Sequence, residues 1–481
     1  MVHAVASLPL QESEDIVSDE AFFDPFAGLL GQNTPSDDLW LGKAAPRYTS
    51  YPPATAFQED LTTENYRGVL EGLSPEEPIS LYVHIPFCQK LCLYCGCHTS
   101  PTQQHDPVDR YLHTVHRELE NLATMSPRSR RISHLHFGGG SPNIMSEKDL
   151  GLMIGAMARR FDLSSTQEIA MELDPRLITK AQARVLGMAG ITRVSLGIQD
   201  FDEDVQEAIG RVHSFEQIAK SCYLLREAGI EKINFDLMYG LPKQSPLSVA
   251  KTARLASGLT PDRIALFPYA HMPHVKKHQK VLEQFVLPGP HAALAMERAA
   301  RAILREDGFI EIGMDHFARP SDSLTKAKET GKLRRNFQGY TDDTASTLLG
   351  VGASSISQTT DFYFQNACDI DDYAQHISKH GLATTRGLHL SSEDKFRADI
   401  IQELMCTLSV NLEKICTKNN FSVSTLAESL EALEPFEKAG LIQRDGYKIK
   451  LLTAHRMAVR VIASVFDTTQ HDDKTPVSRT V

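Results

Sequence analysis

Four cysteines fall within ten residues: Cys88, Cys92, Cys95 and Cys97. Their pattern, Cys-x3-Cys-x2-Cys followed by one more cysteine, presents several thiolates from a single loop. Thiolate is soft and suits an iron–sulfur cluster. Three ligands, Cys88, Cys92 and Cys95, would leave one iron of a [4Fe-4S] cluster without a protein ligand. That open iron can chelate an amino acid and pass it an electron. The alternative is zinc held by all four cysteines. Zinc sites usually pair two separated knuckles, and this sequence has no second one. Haem attachment needs Cys-x-x-Cys-His, and His98 follows Cys97 at the wrong spacing. Cys97 is then left over, either as a thiol near the substrate or as a spectator. Cys222, Cys368, Cys406 and Cys416 are scattered and are expected to be buried thiols. A disulfide framework is not expected in so long a chain of non-secreted character.

Something must hold that loop. Apolar segments at 80–85, 132–137, 168–173, 193–198, 232–238 and 264–269 read as strands. Stretches with helical periodicity lie between them, at 111–123, 148–158, 180–188, 215–228 and 247–257. Strand and helix alternating in this way argue for a parallel sheet, and six units fit a closed or partial (β/α) barrel. A doubly wound sheet is the rival, but no Gly-x-Gly-x-x-Gly follows the first strand. Each strand runs into chemically able residues: the cysteine loop, then Gly138-Gly139-Gly140-Ser141-Pro142, then Glu172 with Asp174, Gln199 with Asp200, Asp236, and Tyr269-Ala270-His271. In a parallel barrel these ends share one face, where active sites are built.

The expected fold class is therefore α/β, a partial barrel over 46–325 with a mainly helical, winged-helix-like domain over 326–481. Within the latter, 334–340 and 350–358 read as loops, 393–415 as helical, 441–452 as a hairpin about Asp445-Gly446, and 454–466 as a final helix. A length of 481 residues suggests about three domains at roughly 150 residues each, or one barrel with an appendage.

Charge narrows the partners. The net charge is −11, and eight acids, among them Asp37 and Asp38, lie in the first forty residues without a Lys or Arg. Without them the body is nearly balanced, so a nucleic-acid footprint is not expected. Residues 1–45 read as an acidic, loose arm. No run of about 18 apolar residues exists, so membrane insertion is not expected. The N-terminus lacks the basic start of a signal peptide, so a cytoplasmic protein is expected.

Longer strings now carry a resemblance. The cysteine loop after the first strand resembles that of the radical S-adenosylmethionine (SAM) enzymes. PRYTSYP (46–52), YVHIPFC (82–88), CGC (95–97) and GGGSP (138–142) resemble the oxygen-independent coproporphyrinogen III oxidases. So do GIQDF (197–201), DLMYGLPKQ (236–244), GMDHFARP (313–320) and RNFQGYT (335–341). The resemblance runs from about residue 46 to 467. It implies a [4Fe-4S] cluster on Cys88, Cys92 and Cys95, SAM as cofactor, and conversion of two propionates of coproporphyrinogen III to vinyls. It also implies a 5′-deoxyadenosyl radical that takes a hydrogen from the propionate chain, with Cys97 as a candidate catalytic residue. An electron would come from a small electron-transfer protein such as flavodoxin or ferredoxin, and a monomer is expected.

The family positions carry further residues. Arg211 matches the cation for the SAM carboxylate, and Glu172 the acceptor for its ribose hydroxyls. Gly139, Gly140 and Ser141 match its close backbone approach. Tyr82, Tyr94, Gln199, Asp236, Ala270 and Ile356 match other SAM contacts. Gln338 and Ile356 would lie near a second SAM. Arg47, Arg319 and Arg335 are candidates for substrate carboxylates, though a surface or ion-pair role competes for each. Ser141 stands where threonine is common in the family, and both offer a hydroxyl. Two other readings compete. One is a haem-handling relative, which typically lacks the extra cysteine and the PRYTSYP-like segment. The other is a zinc-stabilised structural protein, which leaves the other strand ends unexplained.

Overall fold

The computed structural model describes residues 36–125 and 130–469. Twelve strands form one sheet: β1 (Ile79–Ile85), β2 (Ile132–Gly139), β3 (Glu168–Leu173), β4 (Arg193–Gln199), β5 (Lys232–Tyr239), β6 (Arg263–Pro268), β7 (Ile310–Ile312), β8 (His316–Ala318), β9 (Leu348–Val351), β10 (Ile356–Gln358), β11 (Phe362–Asn366) and β12 (Thr384–His389). Their order is β12-β11-β10-β9-β1-β2-β3-β4-β5-β6-β8-β7. Strands β9 and β1 to β6 run parallel. Antiparallel strands flank them on both sides. The order has two ends, so the sheet is not closed, and the expected partial barrel is what forms.

The parallel strands are apolar because both faces are covered. Leu81, Val83 and Ile85 of β1, Val194, Leu196 and Ile198 of β4, and Ile233, Phe235 and Leu237 of β5 are all buried. The intervening helices start where short polar side chains cap them. Ser146 accepts from the Asp149 N–H at the start of Glu147–Arg160, and Ser245 from Ser248 at the start of Pro246–Gly258. Each crossover returns the chain to the same end of the sheet, so the C-terminal ends of the parallel strands collect on one rim.

Three expectations need correction. The first concerns the arm over 1–45, of which 1–35 lie outside the described residues. Residues 36–45 pack on the body, with Trp40 and Ala45 buried. Asp37 is buried too and pairs with Arg298 at 3.2 Å. Its charge is locally compensated, which a charge count along the chain does not reveal.

The second concerns the helical domain from 326. The stretch read as loop at 350–358 contributes to β9 and β10, and the main sheet continues to His389. The stretch at 334–340 forms a hairpin of Arg334–Asn336 with Gly339–Thr341. These strands have three to six residues each, too short for a visible period, and glycines interrupt three of them. The helical part begins at Ser392–Thr407. It carries a three-stranded sheet of Ser409–Asn411, Lys448–Leu451 and Ile442–Asp445, whose hairpin turns at Gly446 as expected. The third concerns the scattered cysteines: Cys222, Cys406 and Cys416 are buried, but Cys368 is exposed. Among the described residues, no helix is long and apolar enough to cross a membrane.

Candidate active site

The cysteine loop leaves the end of β1 and is closed by a short parallel pairing of Phe87–Cys88 with Ser100–Pro101. Its backbone is pinned from outside. The Leu93 N–H donates to the Ile209 carbonyl at 2.9 Å. Lys276 Nζ donates to the Cys97 carbonyl (2.8 Å), and Gln279 Nε2 to the Tyr94 carbonyl (2.9 Å). His278 Nε2 bonds the Cys95 carbonyl at 2.8 Å. With its carbonyls fixed outward, the loop presents Cys88, Cys92, Cys95 and Cys97 to one cavity of about 580 Å³.

Donors converge on the sulfurs. Thr99 Oγ1 lies 3.2 Å from Cys88 Sγ and Ser141 Oγ 3.4 Å from it. Arg211 Nη1 lies 3.4 Å from Cys92 Sγ. Burial raises the Cys88 pKa, and the Ser141 and Thr99 hydrogen bonds oppose it by favouring the thiolate. The Cys97 thiol bonds that of Cys95, which lowers the Cys95 pKa. A set of converging thiols with donors turned toward them fits the ligand chemistry of an iron–sulfur cluster.

The glycine segment at the end of β2 explains its own composition. A Cβ on Gly140 would overlap the Phe87 carbonyl oxygen, and one on Gly139 (φ +111°) the His84 imidazole. Only glycine lets this turn reach the cysteine loop. The Gly139 N–H then donates to Glu172 Oε2 at 3.0 Å, while His136 Nε2 bonds Oε1 at 3.2 Å. Burial pushes the Glu172 carboxyl up, but the His136 bond and the Gly139 N–H outweigh it and hold it below its ordinary range. Asp236, at the C-terminal half of β5, goes the other way. Burial first, then the Glu172 charge, push it up to about 7, against a hydrogen bond from Asn234 at 2.9 Å.

Arg211 follows the short helix Glu203–Ile209 and folds back under β4. Its Nε donates to the Gly197 carbonyl (2.8 Å), and Nη2 lies 3.6 Å from Asp174. The ladder between β4 and β5 shifts register at Gly197–Gln199, and Gln199 has φ +72°. That irregularity turns Gln199 into the cavity.

The cavity brings together Cys88, Cys92, Tyr94, Cys95, Cys97, Gly139, Gly140, Ser141, Glu172, Gln199, Arg211, Asp236 and Ala270. Tyr82 is not on its wall. It sits one layer below, with its hydroxyl 3.0 Å from His84 Nδ1 and its ring stacked on His136 at 5.8 Å. Gln338 is exposed on the 334–341 hairpin, away from the lining. Ile356 packs against Phe57, Tyr363 and Leu390 instead.

Of the three arginines, only Arg47 lines the cavity. Arg335 is buried over the Tyr340 ring at 4.6 Å. Arg319 stacks on Phe309 at 3.9 Å and donates to the Asp307 carbonyl. Asp200 is consumed internally, accepting from Thr252 Oγ1 at 2.6 Å and Asp202 N–H at 2.8 Å. Sequence reasoning missed His136 as the partner of Glu172. Its signal was a histidine at an inward position of a buried strand.

Comparison with known proteins agrees with this geometry. Residues 82–256 match the family model of the radical SAM superfamily. An oxygen-independent coproporphyrinogen III oxidase of Bradyrhizobium diazoefficiens is 42% identical over 422 residues, covering 88% of this chain and 94% of the relative. The enzyme of the same name from Escherichia coli K12 is 38% identical over 426 residues, covering 88% and 93%. The solved structure of the Escherichia coli coproporphyrinogen III oxidase, described as a radical SAM enzyme, superposes with a TM-score of 0.84 at 37% identity, covering 88% of this chain and 98% of that one. By fold, by sequence over most of its length and by the cysteine loop at its rim, the chain belongs to the oxygen-independent coproporphyrinogen III oxidases.

Proposed function

We propose that this chain converts two propionate side chains of coproporphyrinogen III to vinyl groups, giving protoporphyrinogen IX in haem biosynthesis. The observation that carries the reading is the single cavity in which the cysteine loop meets Glu172, Asp236 and the glycine turn. Each conversion removes one hydrogen atom, one carbon dioxide and one electron, and the electron passes to an external acceptor. Cys88, Cys92 and Cys95 would hold the [4Fe-4S] cluster, and SAM would lie beside it. When bound, this pair supplies the hydrogen-abstracting 5′-deoxyadenosyl radical, using an electron from a small carrier of the flavodoxin or ferredoxin class.

The chain's own residues do the rest. Glu172, kept ionised by His136 and Gly139, offers carboxylate oxygens to vicinal hydroxyls. Asp236, close to half-protonated near neutrality, can donate or accept beside it. Arg211 places a cation at the same end, next to Cys92. Gly139 and Gly140 let backbone groups approach a ligand that a side chain would block. Leu91, Met238, Phe267, Pro268 and Met272 give the cavity apolar walls suited to pyrrole rings. They also exclude water from a site where a reactive radical must meet only its target. Cys97, exposed and on the cavity wall, faces this space without a place among the three ligands. We further propose that it acts as a monomer in the cytoplasm.

The test is an anaerobic assay on cluster-reconstituted protein with coproporphyrinogen III, SAM and a reductant. Protoporphyrinogen IX (read as the oxidised porphyrin) and 5′-deoxyadenosine should accumulate together, and neither with Cys92→Ser. Formation of 5′-deoxyadenosine with untouched porphyrinogen would reject the substrate. Haem transfer in place of turnover would favour a haem-handling relative.

A further inference from the structure

The cavity carries charges of both signs. Glu172, Asp174 and Asp236 line it beside β3 and β5, with Arg211 next to them, where a cationic cofactor would be accommodated. A further cation stands against the end of β6. Arg47 lies there, with its Nη2 donating to the Pro268 carbonyl at 3.3 Å. Among the described residues this is the one hydrogen bond its guanidinium makes. A guanidinium carries five N–H donors in a planar fork, so most of its capacity faces the cavity unspent.

Arg47 is also part of a cluster of three arginines. Arg335 Nε donates to the Arg47 carbonyl at 3.3 Å, and Arg460 Nε to the neighbouring Pro46 carbonyl at 3.1 Å. The shared counter-charge is Asp315, which lies 3.9 Å from Arg335 and is itself hydrogen-bonded by His316 at 2.7 Å. Asp315 faces Arg335 directly and acts on Arg47 and Arg460 through its charge. Burial, offset by Asp315 and reinforced by Arg335, lowers the Arg47 pKa, and burial with Arg47 and Arg335 lowers that of Arg460 to about 9. Two of the three are occupied: Arg335 by the Tyr340 ring, and Arg460 by the Ala45 and Pro46 carbonyls. Arg47 is the one of the three whose fork lines the cavity, and an anion there would gain both its charge and its free donors.

We propose that Arg47 is the anchor for a propionate carboxylate of the substrate, held in a fork at the β6 end of the cavity while another propionate is presented for reaction. This rests on the reading of the substrate as coproporphyrinogen III, a macrocycle with four carboxylates. Pro46, Pro53 and Pro268 add rigid apolar surface to the same cavity. Apolar surface beside a charged pair strengthens its hydrogen bonds. A propionate fixed at this point restricts which of the others can reach the cysteine end.

The test compares native protein with Arg47→Gln and Arg47→Lys. Coproporphyrin III, the oxidised and unreactive tetracarboxylate, is titrated by fluorescence, and SAM affinity, KM and kcat are measured on reconstituted protein. Arg47→Gln should weaken coproporphyrin III binding about 10- to 100-fold, the range for losing a charged hydrogen-bond partner. KM should rise by a similar factor and kcat change less. SAM affinity should not move, and Arg47→Lys should fall between. Porphyrin affinity of Arg47→Gln within twofold of native would overturn the assignment, as would an equal loss of SAM affinity. If Arg47→Gln does not fold, native-like porphyrin affinity of Arg47→Lys would overturn the fork. Failure of the native protein to turn over coproporphyrinogen III would instead reject the underlying substrate reading, and the anchor with it.

Discussion

Glu172→Gln separates two effects that the cavity combines. In the native chain Asp236 is raised from an ordinary 3.8 to about 7, by burial first and the Glu172 charge second. At 1.36 kcal/mol per unit, its ionisation costs about 4 kcal/mol more than in water. The substitution keeps an oxygen for the Gly139 N–H and removes the negative charge. The burial contribution stays and the Coulombic one goes. Isotope-edited infrared titration of aspartate carboxyl bands, with Asp236→Asn to assign the signal, should give a midpoint near 7 in native protein and a lower one in Glu172→Gln. SAM affinity should fall about 10- to 100-fold, since a hydrogen bond to a charged group contributes about 1.5–3 kcal/mol. An unmoved Asp236 midpoint would refute the reasoning, because it would mean that Glu172 is not a charged neighbour of Asp236. Unchanged SAM affinity would refute the role of Glu172 separately.

Other consequences are equally direct. Cys92→Ser should lose iron and acid-labile sulfide after anaerobic reconstitution, while Cys97→Ser should retain about four of each per chain; loss of cluster in Cys97→Ser would mean that the ligand triad is misassigned. Gly140→Ala forces a Cβ into the Phe87 carbonyl oxygen, which is backbone and cannot rotate away. It should cost about 1–3 kcal/mol of stability and abolish SAM binding, as read by denaturant unfolding and equilibrium dialysis. Glu118 is buried and accepts from Tyr373 Oη (2.6 Å), Asn366 Nδ2 (2.7 Å) and the Gly352 N–H (2.8 Å). Glu118→Gln turns an amide donor on at least one of those donors, so its unfolding midpoint should drop by an amount matching about 1–3 kcal/mol; a native-like midpoint would show that the network tolerates the swap.

The parts of this molecule that the sequence made legible share a physical origin. Strands β1 to β6 are buried on both faces, so each is a short apolar run bounded by polar turns, and reading ended within one or two residues of the observed bounds. The residues that follow them, from Cys88 to Ala270, were legible because a parallel sheet gathers its C-terminal ends at one rim. What stayed hidden depends on tertiary partners. Strands β9 to β12 are short and pair antiparallel or at the far side of β1, and nothing in 350–358 alone distinguishes a strand from a turn. Trp40 and Asp37 sit in an acidic stretch and are buried only because Arg298 and the body receive them. Arg47, Arg319 and Arg335 look equivalent in their motifs. Only the fold shows that one faces the cavity and two are spent on aromatic rings. Gln338 and Ile356 came from family positions, and neither lines the cavity that holds the others.

The central claim is that the cysteine-lined cavity acts on the propionate chain by hydrogen abstraction. The most direct measurement is anaerobic turnover of coproporphyrinogen III deuterated on the propionate carbons next to the rings, with mass analysis of the 5′-deoxyadenosine formed. The account predicts deuterium in 5′-deoxyadenosine in step with vinyl formation. Vinyl product accompanied by unlabelled 5′-deoxyadenosine would contradict it.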